Sequence, residues 1–425
     1  MSANAPVGAP TGAPSGAVLG AAVDAPVNAA SPGASAAVDA VPASASAVPS
    51  TIWVPSTSPP GGGEKRNEAA SGAAPGASSS AAPAPSRLAL ILPGKSTDFA
   101  LAADTVRAGF FAGASVGGAD GAIEVIEIDE AIPQFDAALR GAAQRGAAVA
   151  VGPLTRTLAN AVGDGRIVAP LPLLTLTLPD SDAALGPNVI VFGLSIEQEA
   201  RAVVRAALRE LPSAAADSSL APLGATPAPR FWIFAGASQL ARRAGNAYRD
   251  ALRDAGERAV LIDVRVNYDV LQALAESIEE ARPAAIFFAL EARDAAAVKP
   301  RLPRDIAVYA TSQVNLGGAE AALLAPDLEG IRFADAPWLL EPDHPAVMVY
   351  PHSEQPLSAE LQRLYALGID AYRLAALWAS GRRAFDLDGV TGRLHVDRER
   401  AVRVERTPAF AVFHQGTIER LNLQP

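Results

Sequence analysis

Ile306-Ala307-Val308-Tyr309-Ala310 running into Thr311-Ser312-Gln313, and Gly330-Ile331-Arg332-Phe333-Ala334 running into Asp335-Ala336-Pro337-Trp338-Leu339-Leu340, decide the fold of this chain. Each is a short apolar run, rich in β-branched and aromatic residues, that breaks into polar or small groups. A Gly- and Ala-rich segment, 317–325, lies between them. A strand that stops at small hydroxyl and amide groups is what an open α/β sheet presents at its carboxyl edge, where such folds hold ligands. Proline ends ladder pairing, so Pro337-Trp338 is expected to be a corner where the chain leaves one sheet for another.

The same alternation extends to both sides. Strands are expected at 88–92, 123–128, 147–151, 171–176 and 189–192, with helices over 98–113 and 135–145 between them. On the first helix Phe99, Ala103, Val106 and Phe110 share one face. Ser195 and Gln198 form a capping box that opens a further helix. After a polar loop, 211–230, strands follow at 231–235, 259–266, 284–290 and 306–310. Helices alternate with them, one carrying a stripe of Leu240, Ala244, Tyr248, Ala251 and Leu252. Such a rhythm argues for parallel sheets with helices on both faces. A long helix over 358–380 and a tail of antiparallel strands complete the chain. The expected fold class is α/β, two lobes that are each a doubly wound, mainly parallel sheet. Lobe 1 is read as 87–194 plus 336–380, and lobe 2 as 195–335 plus 381–425. Residues 1–86 are mostly Ala, Pro, Gly, Ser and Val without period, and are expected to be a disordered tether.

Composition narrows the function. The formal net charge of the 425 residues is −10, so a nucleic-acid partner would bind against the overall field. Cysteine is absent. That excludes disulfides, thiolate metal sites and a Cys nucleophile, and a lipidated N-terminal Cys in the chain as given. No apolar run reaches the roughly 18 residues of a membrane span. The first basic residue is Lys65, so no charged n-region precedes an apolar core. Taken literally, the expectation is a soluble chain without an export signal.

Gly94-Lys95-Ser96 between strand and helix imitates a phosphate loop. The glycine that a Walker A nest needs five positions earlier is Ala89, inside the strand. His344, His352, His395 and His414 show no metal spacing, and no Gly-x-Ser-x-Gly elbow occurs. Nothing in the sequence nominates an enzyme, a metal or a cofactor. What remains are small polar residues at strand ends. They are Ser96, Thr97, Thr155, Thr175 and Thr177 in the first sheet, and Ser238, Gln239, Glu291, Thr311, Ser312 and Gln313 in the second. Facing lobes would gather them into one cleft, although such residues also cap helices.

This order of elements resembles the type I periplasmic-binding fold, with chain crossings expected after Phe192, near 333–338 and after about Ser380. Arg87-Leu88-Ala89-Leu90-Ile91-Leu92-Pro93 and Ala150-Val151-Gly152-Pro153-Leu154-Thr155 are similar to the first- and third-strand motifs of that superfamily. Four segments are closer to one branch, the LppC/LpoA-like penicillin-binding-protein activators: 308–312, 328–340, 366–374 and 387–394. Asp335, Pro337, Trp338, Asp370, Tyr372 and Gly392 lie in the three longer ones and are read as structural.

The resemblance implies a non-enzymatic periplasmic regulator, associated with the outer membrane through a lipid anchor, that stimulates a class A penicillin-binding protein in peptidoglycan synthesis. The helical-repeat domain that precedes this fold in well-known members is expected to be absent, with the Ala/Pro-rich leader in its place. The competing expectation is a periplasmic solute-binding protein for an amino acid or similar small ligand. It would grip its ligand through Thr155, Thr177, Ser238 or Glu291.

Overall fold

A computed structural model describes residues 87–94, 97–118, 123–181, 183–211, 229–265, 268–353 and 356–423. The leader, Ser96 and residues 212–228 of the expected loop lie outside them.

The first sheet is built from β1 (Leu88–Pro93), α1 (Ala100–Gly117), β2 (Ile123–Ile128), α2 (Ile132–Gln144), β3 (Val149–Val151), α3 (Arg156–Gly163), β4 (Leu173–Thr175) and β5 (Val189–Val191). Its five strands are parallel in the order β2-β1-β3-β4-β5. Every residue of β1 is buried. Side chains alternate across a strand, so Leu88, Leu90 and Leu92 enter one core while Ala89 and Ile91 enter the other. Two covered faces explain why this strand reads as a continuous apolar run. Helix α3 is not among the expected elements, because its eight residues are too short for a clear period.

The second lobe opens with α4 (Ile196–Glu210), capped as expected by Ser195 Oγ, which accepts from Gln198 N–H. There follow β6 (Phe231–Ala235), α5 (Gln239–Asp254), β7 (Ala259–Asp263), α6 (Tyr268–Ala281), β8 (Ala285–Ala289), α7 (Ala292–Val298), β9 (Ala307–Ala310), α8 (Gly318–Leu324) and β10 (Ile331–Asp335). Two short helices, α9 (Pro337–Leu340) and α10 (Pro345–Met348), lead to α11 (Ala359–Ala379). The tail holds β11 (Ala384–Asp388), β12 (Arg393–Asp397), β13 (Glu405–Thr407), β14 (Ala409–His414) and β15 (Thr417–Leu421). The second sheet has the order β15-β14-β10-β9-β8-β6-β7, parallel except for β14 and β15 at one edge. Here too the faces separate: Phe231 and Ile233 pack under α4 and α5, Trp232 and Phe234 under α6.

Helix α11 returns to the first lobe. Leu367, Ala371, Leu374 and Ala375 join the core beneath α1, and Tyr372 meets Phe110 edge-on, with ring centroids 5.4 Å apart. The tail does not go wholly to the second lobe as expected. Leu394, Val396 and Val404 of the three-stranded sheet β11-β12-β13 pack into the first lobe's core, and residues 402–404 bond alongside Val191 of β5. Only β14 and β15 extend the second sheet. The third crossing therefore falls at Thr407-Pro408-Ala409 rather than near Ser380, again at a proline. Phe99 and Leu240, expected on buried stripes, are exposed at helix starts, where the backbone has not yet turned them inward.

Candidate functional site

Where the three crossings meet, the lobes are tied by a buried cluster of charges. Arg363 of α11 reaches across to Asp335 at the end of β10, donating from Nε to Oδ1 (2.8 Å) and from NH2 to Oδ2 (2.7 Å). The same NH2 donates to the carbonyls of Ser312 (3.0 Å) and Asn315 (2.9 Å) beyond β9. Asp335 also accepts from Asn315 Nδ2 at 2.9 Å and from Ala336 N–H at 2.7 Å. Beside it Glu199 of α4 accepts from Ser312 Oγ at 2.8 Å, and Arg406 of β13 stands 3.8 Å from its other oxygen. Arg406 donates to Thr391 O at 3.1 Å. Two carboxylates thus face two guanidiniums, drawn from helices and strands of both lobes.

Burial raises the pKa of Glu199 above the ordinary 4.5, and Asp335 adds to this, against the pull of Arg406 and Arg363. A raised carboxyl stabilises the fold most below pH 4.5 and loses that contribution as pH climbs through the folded value. Glu199→Gln is therefore expected to flatten the fall in stability above pH 4.5, read as the slope of denaturation midpoint against pH. An unchanged slope would place Glu199 in solvent.

A second buried carboxylate, Asp370 of α11, fixes the turn before β12. It accepts from Val390 N–H (3.1 Å), Thr391 N–H (2.8 Å) and Thr391 Oγ1 (2.6 Å), and pairs with Arg373 at 3.2 Å. Trp338, seated between His352 and Tyr365, donates its backbone N–H to Val390 O, joining that turn to the second crossing. Pro337 begins α9, and Gly392 lies so close to Thr407 O that a Cβ would come within 2.5 Å.

Glu199, Asp335, Arg363 and Arg406 themselves line a cleft of about 610 Å³, together with Leu194, Ile196 and Leu364 and the carboxyl ends of the second sheet. Of the sequence candidates it brings together Glu291, Ser312 and Gln313. The others serve elsewhere. Ser238 caps α5 by accepting from Ala241 N–H, with Gln239 exposed behind it. Thr97 donates to Gly94 O, and Thr177 to Leu154 O. Thr311 is buried 3.4 Å from Gln313 Oε1. Thr155 and Thr175 are buried at the first sheet's carboxyl edge, and the Thr175 hydroxyl has no hydrogen-bond partner among the described residues. Sequence reasoning missed Glu199, Arg363 and Arg406, because charges on helices and strands read as solvated. One signal was available: Glu199 falls on the stripe of Ile196, Ala200 and Val203 that α4 buries.

A family model described as "LppC putative lipoprotein" matches residues 81–416. The chain belongs to the LppC family. Among curated LppC-like relatives, the penicillin-binding protein activator LpoA of Edwardsiella piscicida is 26% identical over 338 residues, covering 72% of this chain and 47% of its own. The chain spans about half the length of the curated relatives it matches. The C-domain of LpoA from Haemophilus influenzae, described as a regulator of PBP1A, superposes with a TM-score of 0.60 at 22% identity, over 79% of this chain and all of that one. A structure from Chromobacterium violaceum ATCC 12472, described as a "putative branched-chain amino acid ABC transporter", is 34% identical with a TM-score of 0.62. It covers 77% of this chain and 99% of its own. The two-lobed, periplasmic-binding-protein-like architecture of this LppC member is thus shared with both.

Proposed function

We propose that this chain is the two-lobed part of a non-enzymatic regulator of the cell envelope, which stimulates a bifunctional class A penicillin-binding protein during peptidoglycan synthesis. LppC membership and the activator names of its relatives support the reading. The observation that carries it is the Arg363–Asp335 clasp. A protein that opens and closes on a solute must move one lobe against the other, and here that motion would strip a buried guanidinium of four hydrogen bonds. Lobes fixed in this way suit a surface held against a partner, whose active conformation it favours by binding that state more tightly. Periplasmic placement, with outer-membrane association through a lipid anchor, belongs to the same reading.

Adding the purified chain to a class A penicillin-binding protein is expected to raise the rate of glycan-strand synthesis several-fold. No change in rate, together with no measurable binding, would sink the proposal. Solute binding is the second reading, favoured by the 34% identity to the Chromobacterium structure and by the cleft that holds Glu291, Ser312 and Gln313. An amino acid that raises the melting temperature by several degrees would support it, because ligation stabilises by mass action.

A further inference from the structure

At the amino ends of β9 and β10, on the edge of the second sheet away from the cleft, lies another cavity, of about 620 Å³. Lys299, Arg304, Asp305, Asp327, Glu329 and Arg332 supply its charges. Three of these six are already engaged. Asp305 pairs with Arg282 at 2.5 Å. Glu329 takes His414 at 3.0 Å and the Gln415 N–H at 2.8 Å. Arg332 lies over the Tyr309 ring and 3.8 Å from Glu210.

Among the described residues no ion pair or side-chain hydrogen bond holds Lys299 or Arg304, and Asp327 is the unengaged acid left to offset them. Lys299 is only 9% exposed, in the turn that follows α7. Burial pushes its pKa down and Arg304 adds to this, against the pull of Glu329. Lys299, largely stripped of water, and the exposed Arg304 line the same open cavity, and an anion placed between two such cations stabilises both. An ammonium is also the compact point charge that a confined oxyanion site accepts, in a chain whose cations are otherwise almost all arginine.

We propose that this cavity binds a small oxyanion, phosphate or carboxylate, with Lys299 and Arg304 as its cationic walls. The site is independent of the cleft and of the regulatory reading above.

Lysine occurs only at positions 65, 95 and 299, which makes the test clean. Reductive methylation of the full chain with ¹³C-formaldehyde gives a resolvable signal for each lysine, and Lys299→Arg assigns the one of interest. Inorganic phosphate is expected to raise the titration midpoint of Lys299 by about one pH unit, because an anion that prefers the ammonium form stabilises it. Sodium chloride at matched ionic strength should leave the midpoint within a few tenths of a unit of its free value, apart from general screening. A malonate arm separates the sources: movement with malonate alone assigns a carboxylate ligand to the same site. In unmodified protein, phosphate or malonate should raise the melting temperature of the parent chain. Lys299→Met should abolish that gain, and Arg304→Ala should reduce it. If neither anion moves the midpoint or the melting temperature beyond chloride, the proposal fails.

Discussion

Asp335→Ala is expected to destabilise the protein by about 3–5 kcal/mol, the cost of leaving a buried charge without its partner. Asp335 is fully buried, and the side chain of Arg363, its bidentate partner, is 14% exposed. Removing the carboxylate leaves the guanidinium with two carbonyls that both accept from NH2, so Nε loses its acceptor and the charge loses its bidentate partner. The same variant removes the hydrogen bonds between α11 and β10 and leaves Arg363 tied to the second lobe only through the Ser312 and Asn315 carbonyls. Pairing it with Arg363→Met should cost less than the sum of the two single changes, since the second substitution removes the charge that the first one orphans. Chemical denaturation of the four proteins gives the cycle. A loss below about 1 kcal/mol for Asp335→Ala is the figure for a solvated surface pair, and it would remove the clasp as an argument against lobe motion.

Gly368→Ala should be almost as damaging, and for a reason that has nothing to do with charge. Helices α1 and α11 cross with their backbones in contact. A Cβ at Gly368 would lie 2.2 Å from Val106 O and 2.7 Å from Phe110 N, and one at Gly109 would lie 1.9 Å from Tyr365 O. Backbone atoms cannot swing aside as a side-chain tip can, so the helices must part and uncover the core between them. Overpacking typically costs about 1–3 kcal/mol and occasionally more, and with backbone atoms as the obstacle this site belongs at the upper end, which outweighs the roughly 1 kcal/mol that alanine gains over glycine in a helix. Gly141→Ala in α2 is the control. Its Cβ would meet only the flexible end of Arg145, at 2.8 Å, so the variant is expected to be neutral or slightly stabilised. Equal losses at 141 and 368 in thermal melts would mean that the crossing is looser than the structure has it.

Most of the architecture was legible because both sheets are buried on two faces. Strands such as Leu88–Pro93, Phe231–Ala235 and Ala285–Ala289 are therefore nearly unbroken apolar runs that no helix period can imitate. The cap at Ser195 announced itself too, whereas Ser238, expected in the cleft, and Ser358 also accept a backbone N–H at a helix start. The route of the tail was not legible. The alternation in Arg393–Asp397 says that one face is covered, but not which lobe covers it. The candidate site was readable only in part. Ser312 and Gln313 lie at the cleft because β9 ends there, a local fact. The pairing of Glu199 with Arg406 joins residues some two hundred positions apart, and local pattern carries no information about it.

The late return of α11 bears on how the protein is made. The bed that α1 offers to α11 stays bare from the time residue 117 leaves the ribosome until residue 359 follows, roughly 240 residues later, or on the order of 10–50 s of translation at about 5–20 residues per second. Arrested nascent chains ending short of residue 358 should therefore be digested by protease within the first lobe, while chains extended past residue 415 resist. Such a protein finishes its earlier half last, and until then remains in the loose state that a secretion machinery can thread.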